Sequence, residues 1–460
     1  MLISLRGAAL GLLLVMSTAG CGARTDAGSG SHLDAGSIID GSVDDGSVDD
    51  ADDPIFDASA PDVIPCVGLE CQRVSCSEGK TTLSGRVYDP SGKYPVYNVA
   101  VFVPNAPLEP MQHGASCDTC GKPLSGKPIV ATLTNATGNF RLDDVPVGPD
   151  IPLVMQIGKW RRKVVVPNVA ACVDTAISNK DLTRLPKNQT EGDLPLIAIT
   201  PAGEPLDEVL LDLGIDPSEF TNGSGKGSVR FFSTPFSNLG PPGQTSFLDL
   251  IDDLSALMKY DILVNACDGI TWSRGPLELA NMGKYLDAGG RLYAEHFQIS
   301  RFSDPSAPAD LRSASNWNTW GDHAAPPYRV DLSFPKGKAM ADWMKNAFPS
   351  STYGEMPLPV QGHYVDTNLG PTKSGLSQRW VYPTSTPTNP SYITITTPTT
   401  LPPGQRCGRS LLADLHDAVS SGFGTLQDQT TLPGAFKFLF FQLAACVQDD
   451  SLPPVPPPTN

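Results

Sequence analysis

The stretch DILVNACDGITW, Asp261 to Trp272, is an apolar strand that runs into Cys267-Asp268-Gly269. A cysteine at such a corner can be a nucleophile, half of a disulfide or a buried thiol. Other reactive groups stand at comparable points. Glu295 and His296 follow the apolar run RLYA, while Asp414, His416 and Asp417 close GRSLLADLHD. If these runs are parallel strands, their polar ends collect at the carboxyl edge of one sheet, where ligands of parallel α/β sheets sit. Asp414 and His416, two apart on a strand, share a face. A thiolate activated by an imidazole is the usual cysteine-nucleophile device, so Cys267, His296, His416 and Asp414 form the candidate catalytic set. Asp414, His416 and His296 could instead hold a divalent ion. No ligand spacing fixes a metal geometry, so the expectation is hydrogen-bonded strand-end histidines, no metal site and no cofactor, with a divalent metal as the alternative.

The elements that must position these residues can be read from about Leu194 onward. PLIAIT, VRFF, DILVNA, RLYAEHF and GRSLLADLHD read as strands. LDEVLLDLGI, FLDLIDDLSALMKY, PLELANMGKYLDAGG and GAFKFLFFQLAAC read as helices between or after them. Alternation of this kind predicts a mostly parallel sheet covered on both faces, over residues 190–449. Within it, 305–404 is rich in Pro, Ser and Thr and reads as loops and an insertion, with a helix at KAMADWMKNAF and a strand at SYITITT. Residues 450–460 read as a Pro-rich extended tail. Upstream, 66–185 shows only short alternating runs and turns, which predicts a small β-sandwich. There TTLSGRVYDPSGKYPVYNVAVFVPN and PIVATLTNATGNFRLDDVPVG each read as a hairpin-like pair, and IPLVMQIGKWRRKVVVP supplies two more strands.

The first residues are an address rather than a fold. Arg6, the short apolar run AALGLLLVM and STAGC resemble a bacterial lipoprotein signal over 1–20, with Cys21 as the lipidated new N-terminus. Thr18 stands where that family usually carries Leu or Val. The run is too short to span a bilayer. Eleven Asp against one Arg between Gly22 and Asp62 contribute −10 of the net charge of −16. The repeat DGSVDDGSVDDADD has almost nothing to bury, so 21–65 is expected to be a solvated, disordered tether. The acidic balance argues against nucleic acid as a partner.

Two resemblances follow from particular motifs. SGRVYDPSG, NVAVFVPN and TNATGNFRLDDVPVG resemble the carboxypeptidase regulatory-like domain, which implies a prealbumin-like sandwich acting as a non-catalytic accessory. KYDILVNACDG, LDAGGRLYAEHF and CGRSLLADLHD resemble the trehalose-utilisation (ThuA-like) branch of the class I glutamine amidotransferase-like fold, which implies a flavodoxin-like α/β domain. The combination resembles myxobacterial-type envelope lipoproteins. The amidotransferase elbow is Gly-x-Cys-x-Gly; here Asn265 replaces the first glycine, and the family's late His-x-Glu is absent after His416.

Setting Cys21 aside leaves an odd number of cysteines. Cys407 starts a strand and Cys446 ends the helix after it, so both fall at the amino edge of the sheet and are expected to pair. Cys117 and Cys120 read as a loop disulfide, with a metal site completed by His113 as the weaker alternative. Cys66, Cys71, Cys76 and Cys172 would staple the leading segment to the sandwich, leaving Cys267 unpaired. NWNTWGDH with Trp272 could form an aromatic platform for sugars, though loop tryptophans covering a core are commoner. KWRRK could meet envelope anions, though on a strand pair it is more often a solvated face.

The expectation is a lipid-anchored protein of the outer membrane or cell surface, held to the membrane through lipid on Cys21, that binds or scaffolds without catalysis. An envelope polysaccharide or protein would be its partner. The alternative is a carbohydrate- or amide-active hydrolase or transferase using Cys267 or a metal.

Overall fold

The structure, a computed structural model, describes residues 66–459 except 202–205, 236, 238, 270–272, 318–326, 357–368, 373–374 and 416–431. The signal segment, the tether with Cys21, Trp272, His416 and Asp417 therefore lie outside the described residues, as does most of NWNTWGDH.

The N-terminal half is a β-sandwich built from β1 (Thr82–Arg86), β2 (Ala100–Pro104), β3 (Pro128–Leu133), β4 (Asn139–Asp143), β5 (Gly148–Ile157), β6 (Trp160–Val169) and β7 (Asp174–Ile177). One sheet runs β4-β1-β7 and the other β3-β2-β5-β6. Alternation sets the faces: Ile151, Leu153 and Met155 of β5 point into the shared core, as do Phe140 and Leu142 of β4. The two further expected strands, β5 and β6, form a hairpin that closes with Ile157 opposite Trp160. The other two expected pairs are not hairpins. β1 pairs with β4 while β2 pairs with β3. Each pair of neighbouring runs is split between the two sheets, because the inward faces of β1 and β2 must meet across the core rather than lie side by side.

The C-terminal half contains β8 (Ile197–Thr200), α1 (Leu206–Asp212), β9 (Val229–Ser233), α2 (Phe247–Asp252), α3 (Leu254–Leu257), β10 (Ile262–Asn265), α4 (Pro276–Asp287) and β11 (Arg291–Glu295). It continues with β12 (Tyr328–Val330), α5 (Pro335–Ala347), β13 (Ser377–Pro383), β14 (Tyr392–Thr397), β15 (Gly408–Ala413) and α6 (Leu432–Ala444). The longer strands lie in the order β9-β8-β10-β11-β15-β14-β13-β12. The first five are mutually parallel and the last three antiparallel. In chain order the parallel strands therefore run second, first, third, fourth, fifth. The 305–404 segment is more than an insertion, since β12, β13 and β14 extend the sheet.

The strands are apolar on both sides, as a doubly covered sheet requires. Ile197 and Ile199 face one core with α1, α5 and α6, whereas Ala198 faces a second core with α2, α3 and α4. The expected single helix over FLDLIDDLSALMKY is two, because Asp253 caps the second turn by accepting hydrogen bonds from Ser255 N and Ala256 N.

The first of these cores is continuous with the sandwich interior. Tyr97 stacks on Phe438 at 5.8 Å between ring centres, and Trp160 meets Phe441 edge-on at 6.0 Å. Gly158, at φ +54°, lets the β5–β6 turn reach α6, since a Cβ there would lie 1.9 Å from the Ala444 carbonyl oxygen. KWRRK is part of this junction rather than a solvated face. Lys159 donates to Asp261 at 2.6 Å, and Arg161 pairs with Asp193 at 2.8 Å.

The disulfides join the halves too. Cys117 bonds to Cys407 and Cys120 to Cys446, so the expected Cys407–Cys446 and Cys117–Cys120 pairings are both corrected. Cys407 and Cys446 do sit at the amino edge, but the 117–120 loop of the sandwich runs between them. It pairs there with Val447, through Cys120 N to Val447 O at 3.0 Å and Val447 N to Asp118 O at 2.8 Å. With Cys117 and Cys120 oxidised, the metal alternative through His113 falls; His113 instead meets Asp261 at 3.0 Å. Cys66–Cys71 and Cys76–Cys172 brace the leading segment. These four bonds belong to an extracytoplasmic protein. Among the described residues no helix is long and apolar enough to cross a membrane. Asp450, assigned to the tail by sequence, is buried and paired with Lys336 and Arg409.

Candidate functional site

Strand β10 carries Asn265 at its end, and Cys267 follows two residues later, 3% exposed. Its neighbour β11 runs in parallel, with Asn265 beside Ala294, so the residues after each strand meet at the same edge. Cys267 Sγ lies 3.3 Å from His296 Nδ1, and the Gly269 backbone N–H donates to the same sulfur at 3.3 Å. The Cys267 backbone N–H donates to Glu295 Oε2 at 3.2 Å. Cys267 is the free cysteine among those described.

The strain at this edge sits on the histidine. His296 has φ +45°, in the left-handed region, and its ring stacks on Phe297 with 3.7 Å between centres. Cys267 is not among the described non-glycine residues of positive φ. The backbone here thus differs from a strained nucleophile elbow, in keeping with Asn265 at the first glycine position. The Asn265 amide donates to Thr200 Oγ1 at 3.0 Å, tying the ends of β10 and β8 together. Because β9 lies on the far side of β8, the chain reverses its direction of strand addition here, the place where open α/β sheets leave a crevice.

Behind the pair lies a polar support. Gln298 donates to the Ala266 carbonyl at 2.7 Å and accepts from Arg274 at 3.0 Å and from Arg301 Nε at 2.9 Å. Arg274 also donates to Asp268 Oδ2 at 2.9 Å, and Arg301 pairs with Glu278. Burial and the neighbouring Arg301 push the Arg274 guanidinium down to about 9. Gln298 therefore couples the turn bearing Cys267 to the turn bearing His296. Sequence inspection placed Glu295 at this strand end but did not pick out Arg274 or Gln298; two arginines amid apolar helix and strand ends were the available signal.

Of the four candidate residues, the structure brings Cys267 and His296 together. Asp414 follows β15, whose last residue Ala413 lies beside Glu295, and its backbone N–H donates to Ser391 O at 2.7 Å. His416 lies outside the described residues, so the Asp414–His416 face is not formed within them. No group of three or more His, Cys, Asp or Glu arranged to hold a metal occurs among the described residues. Trp317, from the proposed aromatic platform, packs on Phe302 at 5.6 Å and donates its indole N–H to Arg312 O at 3.0 Å.

No family model and no curated protein matches the chain. Among solved structures, it is similar to two interface mutants of a type II cohesin–X-dockerin complex from Acetivibrio cellulolyticus. Both are 14% identical; one covers 28% of this chain and 70% of that chain at a TM-score of 0.16, the other 30% and 85% at 0.17. An exo-β-1,4-mannosidase from Opitutaceae bacterium strain TAV5 is 10% identical, covering 59% of this chain and 38% of that chain at a TM-score of 0.22. Likenesses this slight carry no argument about function.

Proposed function

We propose that this is a lipid-anchored envelope protein whose C-terminal half uses the Cys267–His296 pair for acyl-group chemistry on an amide or ester. In this reading the C-terminal half is a flavodoxin-like module, supported by its second-first-third-fourth-fifth strand order. The sandwich is a carboxypeptidase regulatory-like support, and Cys21 carries the anchor. The observation that carries the activity is the 3.3 Å contact between sulfur and imidazole. Nδ1 takes the thiol proton, and the sulfur adds to the carbonyl carbon of the substrate. The leaving amine or alcohol takes that proton from the imidazolium, and water then hydrolyses the thioester, restoring the thiol. The Gly269 N–H holds the sulfur in place.

A second reading keeps the protein as a non-catalytic binder or scaffold. It is favoured by the ordinary backbone of Cys267 and its 3% exposure. Alkylation of the folded full chain with iodoacetamide, followed by mass spectrometry, separates the two. A working pair predicts labelling of Cys267 in the folded chain, with His296→Gln slowing it. If Cys267 resists the reagent until the chain is denatured, the thiol reading fails and the binding reading stands.

A further inference from the structure

Far from the thiol, a cleft of about 600 Å³ opens over β13 and β14. The cleft-lining Thr394 and Thr396 of β14 lie beside Leu411 and Arg409 of β15, and β15 and β11 separate β14 from β10, the strand that leads to Cys267. Its rim carries the exposed Ser333 and Ser451, and its floor the buried Thr394 and Asp450. The volume falls within the roughly 300–1,000 Å³ of small-molecule sites. Unlike most of those, its walls are chiefly polar side chains.

The floor is fixed before any ligand arrives. Thr394 Oγ1 accepts the Trp380 indole N–H at 2.9 Å and donates to Asp450 Oδ2 at 2.9 Å. Asp450 in turn holds Lys336 at 2.7 Å and Arg409 at 2.9 Å. The charged side chains lining the cleft are already engaged. Arg379 pairs with Asp331 at 2.8 Å, and Arg406 is held by the Leu401 and Gly375 carbonyls at 2.8 and 2.9 Å. An anion would face Asp331, Asp449 and Asp450, and a cation would face Arg379 and Arg406. An apolar ligand would strip water from all of them without replacing its hydrogen bonds. A neutral molecule that both donates and accepts at each group suits hydroxyl, amide, carboxylate and guanidinium alike.

We propose that this cleft binds a neutral oligosaccharide, at a site separate from the thiol. Rigid, pre-paired walls limit the ordering cost of binding. The test is calorimetric titration of the full chain with maltohexaose, cellohexaose and chitohexaose, with inorganic phosphate and spermidine as charged probes. At least one hexasaccharide is expected to bind with a millimolar or tighter Kd, and neither charged probe to compete. Ser451→Trp fills the cleft from an exposed position and is expected to weaken binding by about tenfold or more. Cys267→Ala is expected to leave binding unchanged, which keeps this result independent of the thiol reading. Absence of binding by all three saccharides overturns the proposal. So does competition by phosphate or spermidine, or unaltered affinity in a Ser451→Trp chain with an unchanged melting temperature.

Discussion

At the scale of single residues, His296 carries an unusual burden. Its φ of +45° costs a side chain with a Cβ about 1–2 kcal/mol, which glycine does not incur. Strain of this kind persists only where surroundings hold it, here the stack on Phe297 and the contact with Cys267. Removal of the imidazole should therefore give two different stabilities. His296→Gly is expected to be more stable to urea than His296→Ala by about 1 kcal/mol, while both slow the labelling of Cys267. Equal midpoints would show that the backbone at this position is not strained. That Cys267 and His296 meet was legible from strand ends alone, since adjacent parallel strands bring their following residues to one edge. The left-handed turn at His296 was not, because histidine, though enriched among side chains of positive φ, enters that region far less readily than glycine.

At the scale of elements, local pattern told strand from helix but not partner from partner. Alternation in Thr82–Arg86 and Ala100–Pro104 identifies two strands, yet a period of two is the same for a hairpin and for opposite sheets. The amino-edge placement of Cys407 and Cys446 was legible for the same local reason. The loop of the sandwich lying between them was a matter of tertiary packing. Asp450 was misplaced because Ser-Leu-Pro-Pro follows it, a context of tails. Buried beside two cations, it makes element junctions sensitive to charge. Burial pushes Asp450 up, but Arg409 and Lys336 outweigh this and hold it at about 2, below its ordinary 3.8. The hydrogen bond from Arg184 likewise holds Glu191 at about 2, below 4.5. An unfolded chain then binds more protons than the folded one as acid is added. The stability these groups provide is complete above about pH 4.5 and is lost as pH falls toward about 2. Urea midpoints measured across that range should fall in the wild type. Asp450→Asn should be less stable at pH 7 by about 3–5 kcal/mol, because Lys336 and Arg409 keep buried charges without a counter-ion. It should also lose part of the acid dependence; an unchanged acid slope would remove Asp450 from this account.

At the scale of the molecule, the sandwich and the α/β half are expected to unfold together. One hydrophobic core runs through both, Asp261 of the α/β half takes Lys159 and His113 of the sandwich, and two disulfides cross the junction. The crossing bonds span 290 and 326 residues of sequence, so each restrains a very long loop in the unfolded chain. Bonds of this type typically contribute about 2–4 kcal/mol. The full oxidised chain should therefore unfold in a single calorimetric transition whose van't Hoff and calorimetric enthalpies agree. Replacing Cys117 and Cys407 together by Ser should lower that transition without splitting it, because the aromatic contacts of Tyr97 with Phe438 and Trp160 with Phe441 remain. A fragment ending at residue 195 leaves those two rings without their partners on α6. It should bind a hydrophobic dye and lack a sharp melt. Two resolved transitions in the intact chain, or a cooperative melt of the isolated sandwich, would return the sandwich to the status of an independent domain.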